Sequence, residues 1–562
     1  MTSVDLIWLS ASPAPTWPLG RVHTCADVTP HSLAELVDAK LPQTQSAFWL
    51  FWDGNLGSPI PETIEQICKQ PGDAWHAGLT LGLAGHPLLL GYARPGWMFI
   101  ADPPAEIEAS SWKTCFSALL VKRSVLRQIG GPDPAFDTLD GSSLEWGMRA
   151  LLAGVMLRHA PTLLATMEGR SRNNNDTRGQ NIAGFTAFSV ADSLRLVRRH
   201  FGLHWGTWAL VRSVMTSAIP FRQALTAWCH VRHELVPKPP APFHGALSVS
   251  DHPLNARSVI PNNPDVRVSV LIPTLERYPY LEVVLDQLRR QTVKPHEVIV
   301  VDQTAVTRRR PGLAQQFSDL PLKWFWQDIP GQCSSRNHGI KMSTGNYILF
   351  LDDDVEIYPN LIELHLQTLD LFSADVSSGI AHETGAGMVP MSFQRVHCSN
   401  VFPAGNSLAT RSSLIKSGLF DMAYECGSQE DGDLGMRLYL SGALMVLSPF
   451  ISVLHHHAPM GGLRQHKARV TTYASSRADL LHRSLPEITG MYLQLRYFPE
   501  WIVRESNLQH MLGTFQIHGP WWKRLLKIVI GLIFLPHTRR ITKKRLSIAK
   551  SMLRNYPQIA KL

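Results

Sequence analysis

The chain has 562 residues, 44% hydrophobic, 9% aromatic and 18% charged, which is apolar enough for several buried cores and too apolar for a disordered chain. Its net charge of +9 belongs to one end: eleven Lys and Arg and no Asp or Glu follow Glu505, so no nucleic-acid partner is expected for the body of the protein. Seven scattered cysteines without a C-x-x-C pair argue against a disulfide framework or a thiolate metal site and leave reduced thiols as the expectation.

In chain order, residues 1–20 lack an early Lys or Arg and carry Pro13, Pro15 and Pro18 where a signal peptide needs an unbroken apolar core, so a cytoplasmic protein is expected. Val4 to Ser10 and Phe48 to Leu56 hold apolar runs of strand type, and 188–235 reads as helical. Seven prolines between Val236 and Val266 mark a linker.

The clearest pattern follows. Val268 to Ile272 and Glu297 to Val301 are short apolar runs ending in Pro273 and Asp302, with Leu281, Val284, Leu285 and Leu288 at helical spacing between them, which predicts a β-α-β unit. A third strand, Tyr347 to Leu351, ends in Asp352, Asp353 and Asp354. Further alternation to about Leu447 predicts an α/β module with a mostly parallel, covered sheet and ligands at the carboxyl ends of its strands.

The chain also repeats itself. Residues 119–154 align without a gap onto 407–442 with twelve identities, among them Arg123/Arg411, Gly130/Gly418, Asp133/Asp421, Arg149/Arg437 and Gly154/Gly442. After a shift in register, Phe48 to Leu56 falls on Tyr347 to Val355 and Val4 to Ser10 on Val268 to Thr274. Two copies of one fold are therefore expected. They differ where chemistry would sit: Asp353 and Asp354 face Gly54 and Asn55, Glu430 and Asp431 face Ser142 and Ser143, and His455 faces Met167. The first copy reads as disarmed.

Three consecutive carboxylates after a strand repel one another in a low-dielectric cleft unless a cation neutralises them, and a hard divalent ion is the natural partner. In the run His455 to His457, alternation turns His455 and His457 one way and His456 the other. One imidazole beside two carboxylates suits Mn²⁺ and admits Mg²⁺. Glu430 and Asp431 open a helix, so they are read either as caps of its N-terminus or as the source of a general base. Arg308 to Arg310 reads as a solvated loop. Gly461 and Gly462 precede Arg464, which is either a phosphate clamp or a solvated cation.

The blocks VSVLIPTLER (268–277), EVIVVD (297–302), SRNHGI (335–340), TGNYILFLDDD (344–354) and QEDGDLGMR (429–437) together resemble family 2 glycosyltransferases of the GT-A fold. The resemblance implies inverting, metal-dependent transfer of a sugar from a nucleotide diphosphate. It places Asp354 and His455 on the metal, Asp352 on the ribose or metal, and Asp353 on either. It makes Asp431 the general base beside Glu430; Asp433, whose place Glu145 takes in the first copy, reads as structural. It sets Pro273, Thr274, Glu276 and Asp302 at base and ribose, and Arg336 and Asn337 near the diphosphate. It further implies a UDP- or dTDP-sugar donor, a glycan or lipid-linked acceptor, and a role in surface polysaccharide synthesis. A nucleotidyltransferase is disfavoured by the lack of a G-x-G-x-x-G loop, and a carbohydrate-binding scaffold fits the first copy better than the second.

In the tail, Leu525 to Leu535 is broken by Lys527 and Gly531 and is far short of the ~20 apolar residues of a membrane span. Trp521 and Trp522 precede this run, and Lys523, Arg524 and Lys527 share one helical face. That pattern fits a helix lying on the inner, anionic membrane surface, or a helix docked on the body with a solvated basic edge. The expected organisation is two tandem GT-A-like modules, 1–165 degenerate and 266–467 catalytic, joined by a helical segment and Pro-rich linker over 166–265. A basic helical region over 468–562 completes the chain.

Overall fold

The computed structural model describes residues 3–167, 188–236, 265–383, 394–458, 461–465 and 483–562, with 241, 243, 480 and 481. It contains two mixed sheets. The first is built from β1 (Val4–Leu9), β2 (Val22–Cys25), β3 (Phe48–Asp53), β4 (Ala74–His76), β5 (Ala109–Ser110), β6 (Ala118–Lys122) and β7 (Leu157–His159). The second contains β8 (Val268–Thr274), β9 (Glu297–Asp302), β10 (Leu322–Trp326), β11 (Tyr347–Leu351), β12 (Val355–Ile357), β13 (Val376–Glu383), β14 (His397–Cys398), β15 (Asn406–Thr410) and β16 (Met445–His455).

The first sheet runs β2-β1-β3-β6-β4-β7-β5, and the second contains β9-β8-β11-β15-β13-β16 with β14 paired to β16. Strand for strand, order and sense are the same. The first two pairings of each series are parallel, the third and fourth antiparallel, the fifth parallel and the last antiparallel. The second sheet adds β10 at one edge and β12 at the other. Antiparallel insertion of β6 against β3 in the first sheet and of β15 against β11 in the second makes each sheet mixed, where a mostly parallel one was expected. The central strands β1, β3, β8 and β9 are almost wholly buried, which is why their sequences are near-continuous apolar runs rather than alternating ones.

The repeated residues build the same local structure in both copies. Gly130 and Gly418 end matching helices at φ 81° and 83°, and Gly154 and Gly442 end the next helices at φ 93° and 87°, values that a Cβ disfavours. Arg149 pairs with Glu145 and donates to the Ile129 carbonyl; Arg437 pairs with Asp433 and donates to the equivalent Ser417 carbonyl. The Asp133 and Asp421 carboxylates accept from the amides of Ala135 and Ala423. Asp433 also accepts from the Tyr497 hydroxyl at 2.6 Å, a structural setting.

The modules meet at related surfaces. Gly442 lies against the Glu108 carbonyl, and Gly154 against the carbonyl of Val396, the residue 288 positions after Glu108. Beside this contact, Cys398 Sγ lies 3.1 Å from Met156 Sδ, and the Phe99 ring stacks edge-on to Tyr439 at 5.4 Å. The helix Glu500–Gly513 ties on through Glu505 to Arg212 and Gln509 to the Tyr92 carbonyl.

Candidate active site

A cleft of about 290 Å³ opens at the carboxyl ends of β8, β9 and β11, where a sheet of this type binds ligands. Pro273, Thr274 and Arg277 come from the end of β8, Asp352 to Asp354 follow β11, His455 and His457 lie at the end of β16, and Ser335 and Arg336 project from the helix Gln332–Met342.

The antiparallel pairing of β12 with β16 sets Val355 opposite His455 and so brings the neighbouring Asp354 to the imidazole. His455 Nε2 is 3.3 Å from Asp354 Oδ1, and Asp354 Oδ2 accepts from the Ala458 amide at 3.0 Å and lies 2.9 Å from Arg277 Nη1. Asp353 accepts from the Thr274 hydroxyl at 2.7 Å and from Arg277 at 3.1 Å. The half-buried Asp352 is 3.3 Å from Arg336 Nη2. Burial alone would raise the pKa of Asp354, but the hydrogen bond to His455 and the Arg277 guanidinium hold it down to about 2. For Asp353 burial prevails over Arg277, with the Asp354 charge adding to it, and its pKa is pushed up to about 6.

Ligand atoms of Asp352, Asp354 and His455 all lie within 4.8 Å of one another. Two carboxylate oxygens and an imidazole nitrogen at that spacing fit a divalent cation that accepts O and N donors. The Arg277 guanidinium already neutralises part of this acidic cluster, so a cation there shares Asp354 with it.

Several residues expected at the site lie elsewhere. Asp302 is fully buried, its oxygens accepting from the Tyr278 hydroxyl at 2.8 Å and the Thr304 amide at 2.9 Å. It supports the cleft from within and does not line it; the following residue, Gln303, forms part of the wall. Asn337 clamps the Phe420 backbone, donating to its carbonyl at 2.9 Å and accepting from its amide at 2.8 Å, and is not part of the cleft wall. Glu276 stands outside the wall and pairs with Arg308 at 2.7 Å. Arg309 reaches Asp328 and lies over Trp326, so it is docked, while Arg308 and Arg310 stay largely exposed as a solvated loop would have them.

Glu430 is buried and Asp431 half-buried at the start of the helix Glu430–Leu440, and neither lines the cleft. Asp431 Oδ1 accepts from the Gly432 amide at 2.7 Å. The loop before them is fastened to the Arg336 helix, since Gln332 donates to the Tyr424 and Gly427 carbonyls and Glu425 accepts from the Cys333 and Ser334 amides. Glu425 thereby caps the helix end that would otherwise attract an anion. The side chain of Arg464, and Lys467, lie outside the described residues. Sequence reasoning gave no role to Arg277, although Arg277 closes the VSVLIPTLER block; only folding brings it onto two carboxylates nearly eighty positions away.

Residues 269–418 match the family model described as Glycosyl transferase family 2. The second module is thus a family 2 glycosyltransferase domain. With the same strand order in the first sheet, the chain consists of two tandem GT-A-like α/β modules followed by a helical region. Similar proteins include an uncharacterized glycosyltransferase of Rickettsia bellii (strain RML369-C), 32% identical over 106 residues, 19% of this chain and 15% of that protein. Glycosyltransferase GlyA of Streptococcus pneumoniae serotype 4 is 27% identical over 117 residues, 20% of this chain and 17% of that protein. The chain spans less than a fifth of the length of these relatives. Among solved structures, S. aureus TarS 1-349 aligns with a TM-score of 0.35 at 17% identity, covering 51% of this chain and 91% of that one.

Proposed function

We propose that the second module transfers a sugar from a nucleotide-diphosphate donor bound in this cleft to a glycan or lipid-linked acceptor, with inversion at the anomeric carbon. The observation that carries this reading is the convergence of Asp352, Asp354 and His455 at the strand ends of a family 2 domain, with Arg336 beside them. A divalent cation, Mn²⁺ or Mg²⁺, held by those three residues would offset the charge of the departing nucleoside diphosphate. Arg336 adds to this, since its buried Nε has no partner among the described residues and an Arg fork suits phosphate oxygens. Thr274 and Arg277 hold Asp353 in place. Asp431 serves as base toward the acceptor hydroxyl, its loop kept in register with Arg336 through Gln332. With Asp302 buried, Pro273, Thr274 and Gln303 remain to meet the base and ribose of a UDP- or dTDP-sugar. The first module lacks the acidic cluster and serves as a scaffold, and the setting is cytoplasmic surface-polysaccharide synthesis.

A thermal-shift screen of nucleotide sugars with and without Mn²⁺, followed by product analysis, tests this. A donor that stabilises the protein only with the cation and is converted to nucleoside diphosphate supports the reading. Release of pyrophosphate, or turnover that survives exhaustive chelation, overturns it.

A further inference from the structure

The helix Trp521–Asn555 is mounted with the apolar face of its first half outward. Its inward line is Lys527, Gly531, Thr538, Thr542 and Ala549, spaced by fours and sevens. Lys527 is only 3% exposed and donates to the Leu480 carbonyl, and Gly531 lies against the Phe515 ring. The opposite face carries Trp521 at 72% exposure, Leu525 at 54%, Val529 at 53% and Ile533 at 68%. A helix packed for its own stability does the reverse. The second half of the helix is docked on the body, with Leu546, Ala549, Met552 and Leu553 against the second module's core and the cations solvated, whereas the first half turns its apolar residues outward.

The same outward face then changes character. Trp521, Leu525, Leu532, Arg539 and Lys543 follow one another at steps of four and seven residues, which keeps them on one side of the helix. Trp522, Val529, Ile533, Arg540 and Lys544 do so beside them. All four cations are exposed. The face is apolar with two leading tryptophans for its first four turns and cationic for the next two. The apolar part, at ~1.5 Å per residue about 22 Å long, is shorter than the ~30 Å hydrocarbon core, and no helix among the described residues is long and apolar enough to cross a membrane.

We propose that this face docks the protein on an anionic lipid surface, the apolar turns entering the headgroup boundary and Arg539, Arg540, Lys543 and Lys544 meeting the lipid charge. Charge decides between this occupant and a second copy of the chain. A second tail brings the same cations and no acid after Glu505, so it covers the apolar turns but leaves the cationic ones uncompensated, whereas an anionic bilayer satisfies both. The inference does not depend on the catalytic reading.

Flotation of the full chain with vesicles of phosphatidylcholine alone, or mixed with phosphatidylglycerol, tests it. The protein is expected to float with the anionic vesicles, and raised salt should weaken that binding. The double variant Leu525→Ser/Ile533→Ser and the quadruple variant Arg539→Gln/Arg540→Gln/Lys543→Gln/Lys544→Gln should each lose at least about tenfold in apparent affinity. Both alter exposed positions, so their thermal melts should match the parent. Failure of the parent chain to float with anionic vesicles overturns the proposal, as do variants that float like the parent. A parent that sediments as a dimer, becomes monomeric in the Leu525→Ser/Ile533→Ser variant and ignores vesicles identifies the face as a contact between copies, and also overturns it.

Discussion

Arg277 lies 2.9 Å from Asp354 while the other oxygen of that carboxylate is 3.3 Å from His455, so a side chain of the protein and the proposed cation address the same acid. Removing the guanidinium leaves Asp353 and Asp354 buried without their main positive partner. Arg277→Ala is expected to lower the unfolding free energy by about 3–5 kcal/mol under chelating conditions. The deficit should shrink on adding Mn²⁺, because the ion replaces the lost charge. Urea titrations with and without Mn²⁺ check this; an equal deficit in both would remove the cation from the cluster.

Asp353 gives a pH signature. Its folded-state pKa, pushed up to about 6 by burial, is above the ordinary value, so the unfolded chain releases this proton first as pH rises. The resulting cost to stability is absent below about pH 4, grows through pH 6 and is complete above it, amounting to about 3 kcal/mol without divalent ions. Asp353→Asn cannot titrate. Its stability relative to the parent should therefore improve by up to about that amount between pH 4 and pH 7, and a difference independent of pH would refute the assignment.

For Asn337, stability and ligand binding are expected to separate. Asn337→Ala orphans the buried amide and carbonyl of Phe420 and should cost about 2–4 kcal/mol. The folded variant should bind nucleotide with unchanged Kd by calorimetry. A tenfold weaker Kd at parental stability would put Asn337 on the ligand instead.

The seam between modules can be probed with a matched pair. Gly154 and Gly442 share nearly the same left-handed backbone, φ 93° and 87°, so replacement by Ala strains both by about 1–2 kcal/mol. A Cβ on Gly442, however, would lie 2.4 Å from the Glu108 carbonyl oxygen, against 3.2 Å from Gly154 to that of Val396. Gly442→Ala should therefore be the more destabilising by about 1–3 kcal/mol in thermal or chemical melts. Equal losses would mean that the modules do not press together at this seam.

The sequence alone was enough to locate the second module's strands, the acidic run at a strand end, the internal repeat and the basic tail, because these depend on local periodicity and on residue types at short spacing. It carried the repeat down to Arg149 and Arg437, whose partners are near in the chain. It did not show that β15 inserts antiparallel, that Asp302 and Asn337 face inward while Arg277 turns to the acids, or that the first half of the last helix shows its apolar side to solvent. Those outcomes depend on which distant segment covers each side chain. Tyr278 over Asp302, Phe420 against Asn337 and Leu480 over Lys527 are contacts that no local pattern encodes, and burial, which decides whether a polar group serves a ligand or the fold, follows from them.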